Sequence, residues 1–127
     1  MSSILSPNQD NVKLYLPFSE GSGSTAYDYS GEGNNGTITG ATYVKVQDGD
    51  YALECTTDTI SWSDTGAIGT KLCWKDVGSG WVLDRAPTFI TTTGMTSFTG
   101  DIRLIIITSD TKSTDWIDKF EQETFIQ

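Results

Sequence analysis

Turn signals recur along this chain about every eight to twelve residues, and the stretches between them are short and rich in β-branched and aromatic residues. That punctuation leaves no room for several long helices and points to short strands joined by tight turns. Candidate strands are 12–18, 37–46, 51–56, 59–63, 71–76, 81–84, 88–92 and 102–108. In the first, Val12, Leu14 and Leu16 fall on one face while Lys13 and Tyr15 take the other, with Pro17 near the end. Tyr51, Leu53 and Cys55 share a face in the same way, which predicts a buried Cys55. Between 20 and 36 lies a turn-rich stretch of 17 residues with five glycines, closed by the tight-turn dipeptide Asn35-Gly36. Asp76-Val77-Gly78-Ser79-Gly80 reads as the turn of a hairpin. The pattern is that of an all-β sandwich.

One helix is expected, and it comes last. Ser113 is placed to cap it, Asp115 complements its N-terminal dipole, and Trp116, Ile117, Phe120 and Thr124 recur at helical spacing. That stripe should lie on the sandwich. A chain of 127 residues argues for one domain, large enough to bury about two thirds of its extended surface. Only 36% of residues are hydrophobic, yet 14 aromatics are too many for a disordered tail. Residues 1–11, polar and carrying Pro7, read as a loose or paired N-terminal arm, and 12–127 as a single domain.

Charge and missing residue types exclude several chemistries. A net charge of −9 repels a phosphate backbone and an anionic membrane surface alike, so nucleic acid is not an expected partner. The longest apolar run, Leu104 to Ile107, is four residues, so no membrane insertion is expected. The first ten residues have neither the basic nor the apolar region of a signal peptide. With no histidine there is no Ser-His-Asp or Cys-His catalysis, no His-ligated zinc and no imidazole switch. Cys55 and Cys73 admit one bridge, but nothing signals an oxidising compartment, and two thiols in separate strands read as reduced core residues.

The remaining motifs resolve mostly into structure. Gly31-Glu32-Gly33-Asn34-Asn35-Gly36 has the dinucleotide-binding spacing, but Thr37-Ile38-Thr39-Gly40 follows instead of a helix, so the match is a loop. Asn35-Gly36-Thr37, formally a glycosylation acceptor, reads as turn chemistry. Acids gather in turns at Asp48, Asp50, Asp58, Asp64, Asp110, Asp115 and Asp118; such oxygens can hold calcium, though no EF-hand spacing is present. Glu121 and Glu123, two apart on a helix, point in different directions and cannot flank one glycosidic bond. Among the tryptophans, Trp62 (with Ile60), Trp74 (with Leu72) and Trp116 (on the helix stripe) read as core. Trp81, at the hairpin tip, is the candidate aromatic platform for a sugar ring or a partner.

Segment 14–37, LYLPFSEGSGSTAYDYSGEGNNGT, resembles the opening of concanavalin-like, laminin-G-like jelly-roll domains. A strand ending in an aromatic and an acid leads into a Gly-rich stretch. Asp28, Ser30, Gly31, Gly33, Asn34 and Gly36 then fit the family's Asp-x-Ser-Gly-x-Gly-Asn-x-Gly turn. Residues 50–55 and 59–62 resemble its next hairpin, with Cys55 where a core aromatic is usual. Phe98-Thr99-Gly100-Asp101-Ile102 and Ser113-Thr114-Asp115-Trp116-Ile117 resemble its closing strand and short helix. The likeness covers 14–63 and 96–125; residues 64–95 are fewer than the family usually carries there. It implies a jelly-roll β-sandwich of seven to nine strands with one short C-terminal helix. It also implies a calcium site near a sheet edge, for which Glu20, Asp28 and Asp101 are the positions, and it supplies no catalytic carboxylate strand.

The functional expectation is therefore a non-enzymatic structural or interaction module on a virion or extracellular surface. It would be a decoration, fibre or tail component of a phage-like assembly, with protein partners and copies of itself. The alternative is a carbohydrate-binding module that recognises glycans through Trp81 with the help of calcium.

Overall fold

A computed structural model describes residues 9–46 and 50–124. The described chain is all-β apart from one helix at its end, and eight strands are hydrogen-bonded into a single antiparallel sheet. They are β1 (Val12–Leu16), β2 (Thr25–Ala26), β3 (Gly36–Thr39), β4 (Thr42–Lys45), β5 (Tyr51–Ser61), β6 (Lys71–Asp76), β7 (Trp81–Asp84) and β8 (Gly94–Thr108), followed by α1 (Thr114–Thr124).

Two long strands organise the sheet. The first half of β5 pairs with β4 and its second half with β3, while its other edge runs along β8. Strand β8 pairs with β5 through its first half, with β1 on that same edge through its second half, and with β6 on the opposite edge. Strand β7 extends the sheet beyond β6, and β2 extends it beyond β3. Just after β2 the chain returns to β1, where the Tyr29 N–H donates to the Tyr15 carbonyl at 2.8 Å. The strands thereby curl around an apolar core and give a sandwich-like body.

That core is fed from every side. Leu14 and Leu16 of β1, Ala26 of β2, Ile38 of β3 and Leu53, Cys55 and Ile60 of β5 meet Met95, Phe98, Ile102, Ile105 and Ile107 of β8. A second cluster lies on the other face. Val12, Leu72, Trp74, Leu104 and Ile106 are covered there by Phe120 of α1. Trp116 stacks on Phe120 with ring centroids 5.5 Å apart, and Tyr15 meets the same ring edge-on at 6.3 Å. The Ser113 hydroxyl accepts the Trp116 N–H at 3.1 Å, which is the expected cap. The helical stripe therefore falls on the sheet as its spacing predicts.

Several boundaries differ from the sequence reading. The run 88–92 is not a strand; it contributes one bridge, Ile90 to Met95, while Phe89 stacks on Phe98 at 4.6 Å. The two expected strands 51–56 and 59–63 are one, because β8 continues alongside and accommodates Thr57 as an irregularity with a left-handed φ of 57°. The expected strand 37–46 is two, broken at Gly40-Ala41. Strand β8 starts at Gly94 rather than at 102. Residues 9–11 are tied to its far end, where the Asn11 carbonyl accepts the Ser109 N–H at 2.9 Å. The rest of the arm, residues 1–8, and Asp48 of the acidic turns lie outside the described residues.

Candidate functional site

The Gly-rich stretch is built around one carboxylate. Asp28 Oδ1 accepts the N–H groups of Tyr15 and Ser30, both at 2.9 Å. Its Oδ2 accepts the Ser30 hydroxyl at 2.8 Å and the Asn34 N–H at 2.9 Å. Asn35 Oδ1 in turn accepts the Asp28 N–H at 2.9 Å, and Asn34 Nδ2 donates to the Lys13 carbonyl at 2.9 Å. The Asp-x-Ser and Asn-Asn spacing thus wires the turn to β1, which is why a polar, glycine-rich segment holds one shape here. Glu20 does similar work upstream: Oε1 accepts the Tyr43 hydroxyl at 2.7 Å and Oε2 accepts the Tyr27 N–H at 3.0 Å. Burial first, and then the hydrogen bond to Glu20 and its charge, hold the Tyr43 hydroxyl in its neutral form.

With Asp28 turned inward to those donors, its two neighbours turn outward. Tyr27 is 52% exposed and Tyr29 61%, and both are among the most exposed large hydrophobic side chains of the described residues. Sequence inspection passed over both in favour of Trp81. The signal was present in the triplet Tyr27-Asp28-Tyr29, because an acid whose oxygens face the chain puts both flanking rings on the far side.

Trp81 is not the free platform expected of it. It is half-buried, packs with Leu83 against the helix-covered cluster, and carries the Arg103 guanidinium 5.5 Å from its ring centroid. The reason lies in pairing: β7 continues the sheet beside β6, so Trp81 and Leu83 on one face pack against the cluster that includes Phe120. The residues proposed for calcium do not fit a shared ion either. Each carboxylate oxygen of Asp28 and Glu20 already accepts at least one hydrogen bond. Asp101 stands apart on β8, in register with Glu54 on one side and Asp76 on the other. Burial raises the Asp101 pKa, and the two neighbouring carboxylates add to the effect. Among the described residues no group of three or more His, Cys, Asp and Glu side chains is arranged to hold a metal ion.

Both thiols are free and buried. Burial, reinforced by Asp58, Asp101 and Glu54, pushes the Cys55 thiol up to about 12, and burial raises that of Cys73 as well. Burial thus disfavours the reactive thiolate form of both. A groove of about 330 Å³ opens elsewhere, between the end of β1, the start of β5, the middle of β8 and the end of α1. No helix among the described residues is long and apolar enough to cross a membrane.

The described residues form an all-β, antiparallel protein with a hydrogen-bonded, glycine-rich loop and a sheet face covered by a helix. Comparison of the chain with known protein families, with curated proteins and with solved structures gives no match.

Proposed function

We propose that this protein is a non-enzymatic interaction module, displayed on a virion-like or extracellular surface as a decoration, fibre or tail component, and that Tyr27 and Tyr29 are its contact residues. The observation that carries this reading is the pair of exposed rings on a loop fixed by the Asp28 hydrogen bonds. Tyrosines held this way offer apolar area and a polar tip at little entropic cost, which suits a contact surface. The surplus of acids keeps isolated copies soluble, so contact depends on such local patches.

Light scattering over a wide concentration range tests the reading on the intact chain and on a Tyr27→Ser, Tyr29→Ser double variant. Association of the intact chain with concentration, reduced in a variant that melts at an unchanged temperature, is the expected result. A chain that stays monomeric throughout sinks the self-associating form of the proposal. The same two rings also favour a second reading, glycan recognition. Binding on a glycan array that the double variant loses would replace the first reading with the second.

A further inference from the structure

The groove beside α1 has a chemistry of its own. Its apolar walls are the rings of Tyr15 and Tyr51 with Pro17, and Arg103 is the cation that lines it. Tyr51 is held in place: a Cβ on Gly21, whose φ is +77°, would lie 2.7 Å from its ring, and Tyr43 meets it edge-on at 6.3 Å. Arg103 is aimed by an irregularity in β8. Trp74 pairs with Leu104 and Lys75 with Ile102, so Arg103 has no partner across the ladder and its side chain is freed from the regular alternation.

Trp81 supports the guanidinium from one side, and Nη2 donates to Asp50 Oδ2 at 3.0 Å. Asp50 is 64% exposed at its side chain, so solvent weakens that pair. One guanidinium offers five N–H donors in a planar fork, of which this bond uses one. Thr124 also lines the groove, and its buried Oγ1 has no hydrogen-bond partner among the described residues. The groove already holds one carboxylate, that of Asp50, in an exchangeable position.

We propose that this groove binds a carboxylate carried on a flat or aliphatic apolar body. The carboxylate takes the place of Asp50 on Arg103, and the apolar body lies against Tyr15 and Tyr51. No covalent step is involved. The site shares no residue with the Tyr27 and Tyr29 surface, so either proposal can fail without the other.

Benzoate, with benzamide as its neutral counterpart, tests the site on the intact chain through amide chemical shifts measured by NMR. Benzoate is expected to give saturable shifts in the millimolar range at Tyr15, Tyr51, Arg103 and Thr124, with benzamide weaker by about tenfold or more. Asp50→Asn removes the internal competitor and is expected to tighten benzoate several-fold, a gain that loss of structure cannot produce. Arg103→Gln is expected to abolish binding while Tyr27→Ser leaves it unchanged. Absence of saturation, equal binding of benzamide, or an Asp50→Asn variant that binds no better than the intact chain would each overturn the proposal.

Discussion

Asp28 accepts the backbone N–H of Tyr15, 13 residues earlier, at 2.9 Å. One oxygen of a turn thereby caps the outer edge of the first strand, while three further donors fix the turn itself. The shape of the glycine-rich loop and the edge of β1 are consequently one structural unit.

Asp28→Ala should therefore destabilise the protein by about 3 kcal/mol, the order expected when several donors lose a charged acceptor. Asp28→Asn keeps one carbonyl oxygen and should cost less. Urea unfolding gives the free energies, and amide exchange at Tyr15, Ser30 and Asn34 should accelerate together in the alanine variant. Independent behaviour of the three amides would show that the carboxylate does not organise them.

Gly21→Ala combines a left-handed φ with a Cβ directed at the Tyr51 ring. A loss of about 1–3 kcal/mol follows, and the Tyr51 ring resonances should shift. A variant as stable as the parent, with Tyr51 unmoved, would contradict this packing.

Asp101 sits in register with Glu54 and Asp76, and its pKa is raised. Its ionised form is thus the costly one in the folded state. That cost is absent below the ordinary aspartate range near pH 4 and grows as pH rises through the raised folded value. Asp101→Asn should stabilise the protein by about 0.5 kcal/mol at pH 7, the size of a like-charge cross-strand contact, and by nothing near pH 3. Urea titrations at the two pH values check it; an equal gain at both would point to packing instead of charge.

The buried thiols should resist labelling. At pH 8 an aromatic disulfide reagent is expected to leave Cys55 and Cys73 untouched in the native protein and to modify both after denaturation, since burial keeps them protonated. Rapid native-state labelling of either would show that the core opens far more readily than its packing implies.

Strands β6 and β7 and the helix are legible in the sequence, because alternation, a glycine turn and a cap mark their limits. The start of β8 is not. Residues 94–101, rich in Thr and Gly, show no clear apolar alternation, yet they extend because β5 offers a ladder partner along that length. Leu104 to Ile107 gave no alternation, and the structure supplies the cause: the core takes Ile105 and Ile107, and α1 covers Leu104 and Ile106. Both faces are dry, so the two-residue period disappears. Candidate site residues were harder to read than strands. Glu20 and Asp28, expected as metal ligands, accept hydrogen bonds from their own loop and its neighbours instead. Arg103 drew no notice, because only the irregularity between Trp74 and Lys75 gives it its aim.

The pairing of β1 with β8 has a consequence for how the molecule is made. Val12 lies opposite Thr108, so β1, made before the other described strands, finds its ladder only when β8, the last of them, has been translated. Strands β5 and β6 wait for the same partner on its two edges. Contacts so distant along the chain form slowly, and until they form the early strands expose open edges. A nascent chain arrested before residue 94 would thus hold hairpins without a centre, and the order of synthesis cannot be the order of assembly.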